Sequence, residues 1–199
     1  ILVYRKVAIA VTALFLGLPN PFARAVLDDE MDEYLQLRQP DRDRLKITQR
    51  HVYNELLARE CVVRYAATAA ESLAADPESE LAQCRIMGDT GLLGEADDWN
   101  VIDRVQEILE PIVPFGFTED EGVILAETIR SLCNYYNSVA YRLVQGHLLT
   151  IILDGIELIQ RNGRLEVAWL NSQLETLAEQ DWNTLAPVSM TADGSDVFE

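Results

Sequence analysis

Apolar residues recur at three- and four-residue intervals over most of this chain. No stretch outside the first 25 residues alternates apolar and polar positions long enough to build a sheet. The pattern predicts an all-α fold. Between residues 41 and 74 a heptad places Leu45, Val52, Arg59, Ala66 and Leu73 on one seam position and Gln49, Leu56, Val63 and Ala70 on the other, the stripe of an amphipathic core helix. Pro40-Asp41 marks its start and Asp76-Pro77 its stop, while the Ala-rich end of the stretch lets a neighbouring helix approach closely.

Beyond that stop the pattern predicts a short helical piece over 78–87, a Gly-rich link over 88–94 and a helix over 99–110, whose one apolar face carries Trp99, Ile102, Val105 and Ile108. Thr118 and Glu121 form a capping box for the next helix, whose spacing turns Val123, Ile124, Ile129, Leu132, Tyr136, Val139, Ala140 and Leu143 inward. The apolar pattern runs on to Asn162-Gly163, and a straight helix of that length would measure about 64 Å, so a bend is expected near Gly146 or Gly155. A last amphipathic helix is expected over 165–179. The expected architecture is a single helical bundle over 26–187, built on two long helices at roughly 41–74 and 119–145 with shorter covering helices, and followed by an acidic flexible tail over 188–199.

The opening segment changes the picture of address. Arg5 and Lys6 form a basic start, residues 7–18 an apolar run, and Ala23-Arg24-Ala25 supplies small residues where a leader peptidase reads them. The run is shorter than the roughly 20 residues that cross a bilayer. The reading is a signal peptide over 1–25, a mature chain beginning at Val26, no stable membrane span after cleavage, and a periplasmic or extracellular location.

Charge narrows the partners. After residue 25 the chain carries 13 basic and 33 acidic side chains, a net of −20, and such a surface repels phosphate backbones. Arg38, Arg42, Arg44, Lys46 and Arg50 crowd one helix start, but Asp41 and Asp43 are interleaved, so no nucleic-acid partner is expected.

Metal and cofactor chemistry lacks its motifs. The two histidines, His51 and His147, sit in no Glu-x-x-His pair, there is no Cys-x-x-Cys, and the acidic clusters lack calcium-loop spacing, so no metal, cofactor or catalytic residue is assigned. Two irregularities remain as ligand-binding candidates. Tyr135, Tyr136, Tyr141 and Arg142 cannot all face one way on a helix, so some phenols must reach the rim of the core or a groove, where rigid rings with hydroxyls suit recognition. Arg59 interrupts the apolar seam and either pairs with a carboxylate or marks an anion site.

Three cysteines in an oxidising address leave at least one unpaired. Chain reversal at Asp76-Pro77 makes Cys61 with Cys84 the preferred pair, with Cys61 to Cys133 or no internal bridge as the alternatives, since ideal helices would leave Cys61 and Cys84 about 11 Å apart in level. The functional expectation is an exported, non-enzymatic helical protein that binds a partner protein or small ligand in the cell envelope. The alternative is an enzyme or electron carrier with a site between the two long helices.

Overall fold

The computed structural model describes residues 2–18, 39–75, 96–110 and 119–177. The fold is all-α, with no strand among the described residues. In chain order the helices are α1 (Leu2–Phe15), α2 (Gln39–Thr48), α3 (Arg50–Ala75), α4 (Ala96–Leu109), α5 (Glu119–Leu143), a π-helical segment (Val144–Leu148), α6 (Leu149–Asn162) and α7 (Val167–Glu175).

The helices form where periodicity places them, with differences that have physical causes. The stretch expected as one helix over 41–74 is divided at Gln49 into α2 and α3, although Gln49 N–H still donates to Leu45 O at 2.8 Å and Tyr53 N–H to Gln49 O at 3.1 Å. The centre of α3 is not a one-sided stripe: every residue from 60 to 70 is buried. α1, α4 and α5 all pack on it, so this helix occupies the middle of the bundle. Its Ala66, Ala69 and Ala70 keep the neighbouring backbones close.

α1 is the other interior helix. It is apolar on nearly all sides, a pattern that needs either lipid or protein around it. Here protein supplies the cover: Val7, Ala8, Ala10, Val11 and Ala13 are fully buried, with α3, α6, the π segment and α7 against them. The helix ends in a Schellman motif, in which Gly17 takes φ +66°, Leu18 N–H donates to Ala13 O at 2.9 Å and Gly17 N–H to Leu14 O at 3.0 Å. Arg59 Nη1 donates to Leu16 O at 2.6 Å, which places a cation on the negative end of α1. At the opposite end Arg5 faces Glu71 at 3.6 Å, so α1 runs antiparallel to α3. The segment whose sequence pattern is that of a leader is thus an enclosed helix in the folded chain, and its cleavage point falls outside the described residues.

α5 runs parallel to α3, with the Tyr141 hydroxyl 3.0 Å from Ser72 Oγ and 3.5 Å from Thr68 O. Tyr136, Val139, Ala140 and Leu143 face inward as expected, but Val123 and Ile124 do not: they are 55% and 50% exposed.

The expected bend coincides with the π segment, which contains Gly146. A straight continuation would carry Gly155 about 21 Å beyond Tyr141. Instead, a Cβ on Gly155 would lie 3.2 Å from Val7 Cγ1, beside the Arg5 end of α1 that meets Glu71, so the axis turns at this segment. The stretch Asp120–Asn162 has the length and composition to cross a membrane. Its α6 part buries Ile151, Ile152, Ile156 and Ile159 and turns Asp154, Glu157, Gln160 and Arg161 outward, which is how an amphipathic bundle helix divides its faces.

Residues 78–94 and the tail over 188–199, for which a helical piece, a link and a flexible end are expected, lie outside the described residues.

Candidate functional site

The structure disperses the ligand-binding candidates of the sequence. Tyr136 and Tyr141 are core residues at 2% and 0% exposure, Tyr135 is half-buried and edge-on to Tyr136 at 5.6 Å, and Arg142 is exposed, donating to Ser138 Oγ at 2.8 Å. Burial pushes the Tyr136 phenol above its ordinary pKa, and the Tyr141 hydroxyl is already held by Ser72, so neither ring is offered to a ligand. Arg59 pairs with Glu55 on its own helix and caps α1. It is therefore tied to the bundle itself. His51 is exposed and His147 half-buried.

Cys61 and Cys133 are buried neighbours on α3 and α5, and burial raises the Cys61 thiol well above its usual pKa. No cysteines within disulfide reach appear among the described residues, and Cys84, the expected partner of Cys61, lies outside them.

A charged cluster missed by the sequence reading joins α2, α3 and α4. Glu60, 3% exposed, accepts from Arg42 Nη2 at 3.0 Å and from Arg104 Nε at 2.7 Å. Two turns toward the start of α3, the Tyr53 hydroxyl donates to Glu107 Oε1 at 2.6 Å, and Lys46 Nζ reaches Glu107 at 3.1 Å and Glu110 at 2.7 Å. The Arg42 and Arg50 guanidinium carbons lie 5.8 and 5.6 Å from the centre of the Tyr53 ring, within cation–π range. Arg50 also donates to the Glu107 carbonyl. Of the basic residues that crowd this helix start, Arg42, Lys46 and Arg50 are thus turned onto carboxylates of the same chain. The signal available in sequence was Glu60 and Arg64, a one-turn charge pair inside an otherwise apolar run.

This cluster predicts a pH dependence. Burial pushes the Glu107 carboxyl up, but hydrogen bonds from Tyr53 and Lys46 outweigh it and hold the group below the usual carboxylate range. The hydrogen bond from Lys46 likewise lowers Glu110, and the same contact raises Lys46 above 10.5 despite opposing burial. A lowered carboxylate stabilises the fold above its unfolded pKa, and this stability is lost as pH falls through the folded one. A raised lysine stabilises below its unfolded pKa, and this is lost as pH rises past it. The thermal midpoint is therefore expected to be flat from about pH 5 to 10 where these groups are concerned and to fall on both sides. Lys46→Met should lower the plateau and shrink both limbs. An unchanged pH profile in that variant would show that the three groups do not carry it.

A concave site lies at the corner between α6 and α7. A cavity of about 480 Å³ is lined by Leu158, Asn162, Arg164, Glu166 and Trp169, a size within the roughly 300–1,000 Å³ of small-molecule sites. The sequence makes this corner locally. Gly163 takes φ +72° and its N–H donates to Ile159 O at 2.8 Å, which ends α6 and reverses the chain. Glu166 is the extended residue before α7, and its carbonyl accepts from Trp169 N at 3.1 Å and Leu170 N at 3.2 Å. On its other side the Trp169 ring packs near Gly155, where an added Cβ would stand 3.6 Å from Trp169 Cζ3, 3.5 Å from Leu165 Cδ2 and 3.2 Å from Val7 Cγ1. At the rim Arg164 Nη2 meets Glu166 Oε1 at 2.7 Å, both side chains being largely in solvent. None of the five lining residues stands out in sequence, since the site comes from a turn between two helices and not from a motif.

No family model matches the chain, and no curated protein or solved structure shows significant similarity to it.

Proposed function

We propose that this protein is a non-enzymatic helical bundle that binds a small ligand in the cavity between α6 and α7, and that α1 stays in the folded protein. The observation that carries the binding reading is the cavity itself, with Trp169 in its wall and the Arg164–Glu166 pair in its lining. Binding is favoured over catalysis by the charged groups of the α2–α4 cluster, which engage one another at hydrogen-bond distance. Retention of α1 is supported by its enclosure and by the cap that Arg59 places on it.

A second reading of address is favoured by the leader pattern: export to the cell envelope with cleavage after Ala25. Mass measurement on protein recovered from its own cell separates the two, since a chain starting at Val26 removes α1 and a chain containing Arg5 keeps it.

Binding is tested through the indole N–H resonances of Trp99, Trp169 and Trp182 during a small-molecule screen on the full chain. A cavity ligand is expected to move the Trp169 signal while leaving the other two in place, and Trp169→Leu is expected to weaken it by about tenfold or more. Ligands that move all signals together, or that bind the Leu variant equally well, would remove the cavity from the account.

A further inference from the structure

We infer that α2 is an exchangeable arm. By straightening the bend at Gln49 it leaves its own bundle and takes the same place on a second copy of the chain, in a two-fold dimer where Arg42 and Lys46 of each protomer pair with carboxylates of the other. The arm folds back along α3. Arg42 Nη2 stands 3.0 Å from Glu60 Oε2, although a straight helix would hold residues 18 apart in sequence at about 27 Å, farther than two extended side chains reach. The reversal falls on Gln49, which lies between the last residue of α2 and the first of α3. Thr48 Oγ1 donates to the Arg44 carbonyl at 2.8 Å, a back-bond of the kind that bends helices.

Two observations make this bend a hinge. The sequence through it is competent to form a continuous helix: residues 46–52 contain neither Gly nor Pro, and the heptad carries its seam through Leu45, Gln49, Val52 and Leu56 without a break. The arm, for its part, is held by groups that any copy of the chain presents. None of the described side chains from Arg42 to Thr48 is buried, Leu45 packs against the core from the rim, and Ile47 is 82% exposed. What fixes α2 is mainly charge, Arg42 on Glu60 of α3 and Lys46 on Glu107 and Glu110 of α4 at 3.1 and 2.7 Å. Little apolar surface is therefore uncovered when the arm leaves.

Register and chain length both suit the exchange. Arg42 and Glu60 lie equally far on either side of residue 51. A straightened α2–α3 helix, paired antiparallel with that of a second copy about a two-fold axis near His51, therefore sets Arg42 of one copy level with Glu60 of the other, the register that the closed arm already has. Residues 19–38, which join α1 to α2, span up to about 60 Å when extended, whereas residues 39 and 59 of a straightened helix stand about 30 Å apart. α1 thus stays on its own α3, capped by Arg59, while α2 is exchanged. The exchanged form keeps the ion pairs of the closed arm, so the two forms differ at the hinge and protein concentration sets their balance.

The test uses two full-length variants, Lys46→Glu and Glu110→Lys, one of them isotope-labelled, unfolded together and refolded at high concentration, with the species counted by native mass spectrometry. Alone, each variant sets like charges against each other in the closed arm and in the exchanged homodimer. Mixed, the new carboxylate of one meets the new ammonium of the other, and the second arm site regains its natural pair. The mixed dimer is expected to exceed its statistical share several-fold. Mixed dimers at the statistical share would place the contact on another face, and monomers alone would remove the exchange; either result overturns the inference. A second variant needs no charge reversal: Gly-Ser-Gly inserted between Thr48 and Gln49 lets the arm fold back but interrupts the continuous helix. It is expected to abolish the dimer that the parent chain forms on concentrated refolding, with helix content unchanged. A dimer that persists in the insertion variant, or a parent chain that stays monomeric, would equally overturn the proposal.

Discussion

Val11→Asp is expected to abolish cooperative folding of the full chain. Val11 is fully buried in the middle of α1, and an unpaired carboxylate there meets neither water nor a cation, at a cost of several kcal/mol after it protonates or the helix shifts. Whole domains are stable by only about 5–15 kcal/mol, so one such change consumes most of the margin. Ile47→Asp is the matched control. Ile47 is equally apolar but 82% exposed on α2, and its replacement should move the unfolding free energy by less than about 0.5 kcal/mol. Circular dichroism and urea unfolding of the two variants decide the matter. Equal stability for both would mean that α1 is not enclosed by the bundle.

Glu60→Ala is expected to cost about 3–5 kcal/mol, because it leaves the Arg42 and Arg104 guanidinium groups facing each other without their shared carboxylate in a site where Glu60 is 3% exposed. The loss comes from removing the one carboxylate that Arg42 and Arg104 share in a buried site. Replacing Arg42, Glu60 and Arg104 together by Met, Leu and Leu should therefore recover most of the stability. A triple variant as unstable as Glu60→Ala would assign the loss to packing instead, and a single variant within 1 kcal/mol of the parent would show that the ion pairs are dispensable.

What was legible in the sequence follows from what each kind of pattern encodes. Helical periodicity is local, so α4 and α5 fall within a few residues of their expected bounds, α2 and α3 together cover the stretch expected as one helix, and the π segment falls at the bend expected near Gly146. Enclosure is not local. A heptad stripe assumes one buried face, and nothing in the spacing of Glu60 and Arg64 says that α1, α4 and α5 close around α3 from several sides. An apolar run flanked by basic residues reads alike as a leader, an anchor or an interior helix, since composition does not say what will cover it. For residues 2–15 the cover comes from residues far along the chain, Gly155 against Val7 among them. The tyrosines drew attention as unusual composition, yet Tyr136 and Tyr141 complete the core, whereas the cavity depends on the angle at Gly163 and on what holds Trp169 in place.

α1 is an interior helix of the folded protein, and amide hydrogen exchange on the full-length chain puts that enclosure to the test. If α1 is enclosed as described, the amides of residues 7–15 exchange only through global opening, as slowly as those in the buried centre of α3 and with the same dependence on denaturant. Exchange of α1 within seconds while the centre of α3 stays protected would contradict it.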